Sequence, residues 1–69
     1  MKKPLKHYVG KLVQLRPGSF SSLLGRLGFK SEGLKNRFLV SMANRRRGLL
    51  ICYGSGLRLE IAPADIELV

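Results

Sequence analysis

Four carboxylates, one cysteine and one histidine are all that this 69-residue chain has of three chemically versatile side-chain types, and each shortage excludes something. With Cys52 alone, no disulfide can form within the chain, and a single thiol inside an apolar stretch fits a reducing compartment. His7 stands far in sequence from Cys52, so neither a thiol–imidazole pair nor a metal site built from one chain is expected. Glu60 and Asp65 read as a strand partner and a turn cap rather than an acid–base pair. The glycine-containing "GSFSSLLG" lacks the Gly-Lys-Ser/Thr ending of a phosphate loop, and "YGSG" opens no helix. No apolar run approaches the roughly 18 residues of a membrane span. The start, "MKKPLKHYVG", has the positive charge of a signal peptide without an apolar segment behind it. The expectation is a cytoplasmic protein that is no enzyme, needs no cofactor and no metal, and stays off membranes.

Positive charge is what the chain does have. Thirteen Lys and Arg oppose the four acids, a formal net charge of +9. All thirteen lie in residues 1–59, where Glu32 is the sole acid and the net charge is +12; residues 60–69 carry −3 through Glu60, Asp65 and Glu67. A basic body with an acidic end implies a polyanionic partner more than it implies a fold.

A chain this short forms one domain and buries only about 60% of its unfolded surface, which favours an economical sheet. Residues 1–9, basic and containing Pro4, read as a loose N-terminal arm, leaving 10–69 as the domain. Strands are expected at 11–15, 37–42, 49–53, 57–61 and 66–69, from alternating or continuous apolar character between turn signals. In the second of these, Phe38, Val40 and Met42 are expected inward. Gly54-Ser55-Gly56 reads as a tight turn in which glycine supplies positive φ. Residues 19–27 support two readings. Phe20, Leu23, Leu24 and Leu27 fall on one helical face, with Ser19 to cap it and Gly28 to end it. Gly25 inside such a helix costs about 1 kcal/mol, and the opposing reading is a loop followed by a strand over 25–30.

Gly10, Val13, Leu15, Gly18, Phe20, Gly25 and Leu27 fall in the order and spacing of a KOW motif, which the stretch 10–29 resembles. That motif occurs in NusG-type transcription elongation factors and some ribosomal proteins. "RFLVSM" resembles the strand that follows it, and "LEIAPADIELV" is similar to the close of many SH3-like barrels. Arg26 and the leucine-rich "LLGRLG" depart from the pattern. The resemblance implies a mostly-β, five-stranded SH3-like barrel and favours the strand over 25–30; the alternative is an α+β domain with a short helix at 19–27. Such barrels bind RNA, DNA and protein alike.

Arg45, Arg46 and Arg47 would then ride the tip of a hairpin, and four acids are too few to pair the cations of this chain. The planar guanidinium matches phosphate oxygens and stacks on bases, which lysine cannot do. Phe20, flanked by Arg16 and Arg26, suits an unpaired base with its phosphates, although closing one end of the core is the ordinary role for such a ring. Arg58 and Lys30 extend the basic surface, Lys2, Lys3 and Lys6 would add non-specific contacts, and Tyr8 and Tyr53 read as packing residues. The expected function is binding of RNA or single-stranded DNA through phosphate contacts and some stacking, with no recognition helix for base readout. The alternative is a protein-interaction module docking on a larger complex, as a monomer or weak homodimer.

Overall fold

The computed structural model describes residues 4–28 and 33–69. Each of the five apolar segments forms a strand: β1 (Leu12–Leu15), β2 (Phe38–Asn44), β3 (Leu49–Gly54), β4 (Leu57–Ile61) and β5 (Ile66–Leu68). They make one antiparallel sheet in the order β4-β3-β2-β1-β5. Residues 62–65, which include a 3-10 turn at Pro63–Asp65, lead directly from one sheet edge to the other. Four residues span at most about 14 Å, so the sheet must curl until its edges approach. The curl encloses one core to which every strand contributes: Val13, Leu15, Phe38, Val40, Leu50, Cys52, Ile61 and Ile66. Among the described residues no ladder joins β4 to β5, and that side of the sheet stays open.

Two local departures from regular alternation shape this sheet. The register between β2 and β3 slips at Val40/Met42, a bulge that leaves Ser41 unmatched. Beyond it Ala43 turns to the core while Met42, expected inward, is 55% exposed. The turn after β3 consists of Ser55 (φ 50°) and Gly56 (φ 77°), both in the left-handed region that a two-residue hairpin turn with matching twist requires. Gly54 precedes it in ordinary backbone geometry. Its need for glycine is spatial: a Cβ there would meet the Arg37 carbonyl oxygen and, at 2.6 Å, the Phe38 ring.

The contested segment is a helix, α1 (Pro17–Leu27), so the described part of the strand expected over 25–30 is helical up to Leu27; residues 29–30 lie outside the described residues. Pro17 occupies the first turn, where a missing N–H costs nothing, and Gly28 (φ 59°) ends the helix with its N–H donating to the Leu24 carbonyl. The N-cap is Arg16, not Ser19, whose hydroxyl instead bonds Asp65 Oδ1 at 3.1 Å. Phe20 and Leu23 pack against the core, and that burial outweighs the penalty at Gly25. Here the apolar helical period, not the glycine spacing, decides the local structure.

Part of the basic segment 1–9 packs on the domain. Leu5–Tyr8 is a 3-10 turn whose Leu5 and Tyr8 cover the core, and Gly10 N–H donates to the Val40 carbonyl at 2.8 Å. Residues 1–3 lie outside the described residues. Asn36 makes a further tie. Its side-chain amide both accepts from the Leu15 N–H (2.8 Å) and donates to the Leu15 carbonyl (2.9 Å), acting as a strand partner where β2 has not yet begun. This fixes the end of β1, and with it the start of α1.

Candidate nucleic-acid interface

An open groove of about 890 Å³ separates α1 from β4. Leu15, Leu23, Leu27, Leu59 and Ile61 give it an apolar floor, and Arg26 and Arg58 stand on its opposite walls. Arg26 is in the last turn of α1, where a cation also complements the helix dipole. Arg58 and Glu60 project from the outer face of β4, since their neighbours Leu57, Leu59 and Ile61 point inward.

Glu60 organises the cations around it. Its carboxylate lies 3.8 Å from the Arg58 guanidinium and 3.5 Å from that of Arg47, which reaches across from the turn between β2 and β3. That turn, residues 45–48, carries the three consecutive arginines at its tip as expected, and all three are exposed. Asn44 Oδ1 accepts from the Arg47 N–H at 3.3 Å and Gly48 (φ 66°) completes the reversal. Arg26, Arg45 and Arg46 have no carboxylate partner among the described residues. Arg47 and Arg58 therefore share one carboxylate, Glu60, with Arg45 and Arg46 next to Arg47 in the turn, while Arg26 and Arg58 line the groove together with Glu60 and Asp65.

Two other residues singled out in the sequence do not join this cluster. Arg16 is committed elsewhere: Nε donates to the Ala64 carbonyl at 2.8 Å and Nη1 lies 3.4 Å from Glu67, so this side chain clamps the β4–β5 connection to the start of α1. Phe20 is half-buried against the core, in the ordinary role of closing it. Lys30 lies outside the described residues.

Tyr53 is the aromatic that sequence reasoning assigns to packing and the structure leaves outside, 47% exposed. It sits directly opposite Arg58 across the β3–β4 ladder, on the outer face. Pair positions of this kind bring the two side chains close, so the ring and the guanidinium form one amphipathic surface beside the arginine cluster. The only signal available was its parity with Arg58 across the two-residue turn, which places both on one face. The same face carries an exposed apolar row, since Tyr53 is opposite Leu39 and Leu39 opposite Leu12. Val69 N–H donates to the Leu12 carbonyl, which continues the row to Val69.

Among the described residues, no three His, Cys, Asp or Glu side chains come together, and no helix is long and apolar enough to cross a membrane. Cys52 is fully buried, and burial pushes its thiol up to about 11 from an ordinary 9.0. A raised native pKa means that folding favours the protonated thiol. The stability this contributes is complete below about pH 9 and lost as pH rises through about 11. At pH 8, iodoacetamide is expected to alkylate Cys52 orders of magnitude more slowly in the native protein than in guanidinium; equal rates would place the thiol at the surface. Compared with models of known protein families, with characterised proteins and with solved structures, the chain finds no match.

Proposed function

We propose that this protein is a non-enzymatic, cytoplasmic nucleic-acid-binding domain that takes RNA or single-stranded DNA along the α1–β4 groove. The observation that carries this reading is that Arg47, from the exposed turn residues 45–47, and Arg58 share one carboxylate, Glu60, beside a groove that Arg26 also lines, while Arg26, Arg45 and Arg46 have no carboxylate partner among the described residues. Guanidiniums held close together with too few carboxylates repel one another, and a phosphate backbone relieves that repulsion while releasing its own counterions. Tyr53 beside Arg58 offers a face on which an unpaired base can stack while Arg58 reaches the adjoining phosphate. The resemblance of residues 10–29 to a KOW motif is in keeping with such a role. The exposed side of α1 carries Gly18, Ser21, Ser22 and Gly25 with Arg26 as its one long side chain, too little to read base edges in a duplex groove. Single strands are therefore preferred, with little sequence specificity.

The test is fluorescence anisotropy with labelled single-stranded RNA, single-stranded DNA and duplex DNA over a salt series. Binding to single strands is expected, with log K falling linearly against log salt at about 0.7 per phosphate contact, hence a slope near −3 for four or five contacts. No binding to any of the three at low salt removes the proposal.

A second reading, a protein-docking module, is favoured by the row Val69, Leu12, Leu39 and Tyr53, an apolar strip running across β1, β2 and β3 to the residue just after β5. The two readings occupy different surfaces apart from Tyr53. A Leu12→Ser, Leu39→Ser variant that keeps its nucleic-acid affinity but loses capture of a larger assembly would assign the strip to protein.

A further inference from the structure

β4 is an edge strand, and its outer backbone groups have no partner strand among the described residues. Gly54 and Leu57 close a two-residue turn and so exchange hydrogen bonds; the alternation of an antiparallel ladder then assigns the β3-facing bonds of β4 to Leu57, Leu59 and Ile61. The N–H and C=O of Arg58 and Glu60 consequently point outward, toward the groove beside α1. Natural edges of this kind are usually protected by like charges or prolines. This one carries one cation and one anion, two residues apart on the same face.

We infer that β4 pairs antiparallel with β4 of a second copy of this chain, about a two-fold axis at Leu59. In that register Arg58 of each copy stands opposite Glu60 of the other, twice by symmetry. Both residues with outward backbone groups become hydrogen-bonded positions, Leu59 faces Leu59, and Leu57 faces Ile61. Charge selects this register over its neighbours. A shift that centres the axis on Arg58 sets Arg58 against Arg58, one that centres it on Glu60 sets Glu60 against Glu60, and like charges directly opposite destabilise a sheet. A shift that breaks parity would put the inward leucines against the outward charges. The result is a continuous ten-stranded sheet made from two five-stranded ones, and because it uses the β4 side of the groove, it competes there with the nucleic acid proposed above. It brings two arginine clusters together, so association is expected to be clearest at moderate salt, where the mutual repulsion of chains carrying +9 each is screened.

Sedimentation equilibrium of the full chain without nucleic acid, over a concentration series, tests this directly and is blind to whether nucleic acid binds. The wild type is expected to dimerise. Arg58→Glu alone sets carboxylate against carboxylate at both cross-strand pairs, and Glu60→Arg alone sets guanidinium against guanidinium. Each is therefore expected to weaken dimerisation about tenfold or more. An equimolar mixture of the two single variants can pair like with unlike again and is expected to form a heterodimer in preference to either homodimer, a recovery that no other docking surface produces. Circular dichroism checks that each variant folds; should one fail, the double variant Arg58→Glu, Glu60→Arg, which restores both opposite-charge pairs within a homodimer, decides in its place. A wild type that stays monomeric at high concentration overturns the inference, as does a dimer indifferent to the single variants or a mixture that does not recover.

Discussion

Gly54→Ala is expected to lower the melting temperature by roughly 10–25 °C, the largest stability effect of any single methyl group added to this chain. The backbone at Gly54 is one that alanine adopts freely, so restricting the unfolded chain would by itself stabilise the protein by about 0.4–1 kcal/mol. Space reverses the sign. The new Cβ would meet the carbonyl oxygen of Arg37 and the ring of Phe38, Cδ1 at 2.6 Å and Cε1 at 3.2 Å. Phe38 is 1% exposed and has nowhere to turn, and the Arg37 carbonyl moves only if the start of β2 moves with it. Overpacking of this kind costs on the order of 3 kcal/mol, against a total stability of about 3–10 kcal/mol for a chain of this length. Two other glycines serve as controls, for nothing lies within 4 Å of a Cβ at either. Gly56→Ala is expected to cost only about 1 kcal/mol, from its positive φ, and Gly25→Ala in mid-α1 to stabilise by about the same amount. Thermal melts of the three side by side check the order; a Gly54→Ala protein as stable as the wild type would mean that β2 and the β3–β4 turn are not in contact.

The second large effect concerns binding. Arg26→Ala, Arg45→Ala and Arg46→Ala combined are expected to weaken single-stranded RNA binding about 100-fold at 0.1 M salt. Three lost phosphate contacts at about 0.7 each reduce the salt slope by about 2, and between 1 M and 0.1 M that difference amounts to about two decades. Because none of the three has a carboxylate partner among the described residues, their removal strands no charge, and stability should change by less than about 0.5 kcal/mol per site. Arg16→Ala is the opposite case. It removes the clamp on Ala64 and Glu67, so it is expected to cost about 1 kcal/mol of stability and to leave the salt slope as it was. An unchanged slope in the triple variant would place the nucleic acid on another surface.

The two groups of arginines show what was legible in the sequence. Strand positions follow from alternation, because one buried face demands it, and the turn at 45–48 follows from the break between two apolar runs. What failed was information that only packing supplies. The segment 19–27 reads equally as helix or as loop and strand until the core offers Phe20 and Leu23 a place to be buried. The bulge at Ser41 inverts the parity of Met42 and Ala43, and no local pattern announces a single unmatched residue. Arg16 and Arg26 are alike in composition and neighbourhood; one clamps a turn and the other stands clear of it because of residues 64–67, almost fifty positions away. Tyr53 reads as a packing residue because its flanking run is apolar, whereas its parity with Arg58 puts it outside.

The order of strands also bears on how the chain acquires its shape. β2, β3 and β4 are joined by short turns and can zip together as they emerge, each pairing with a neighbour a few residues away. β1 has no such neighbour. One of its partners, β2, lies beyond α1, and the other, β5, is the last strand to be made, with Leu15 paired to Ile66. The first of the five strands to leave the ribosome is thus the last to be completed. Until then its backbone has one ready partner for the Leu15 peptide, the side chain of Asn36. That amide can hold the end of β1 against the start of β2 before β5 is made, and it keeps the same two bonds in the finished sheet.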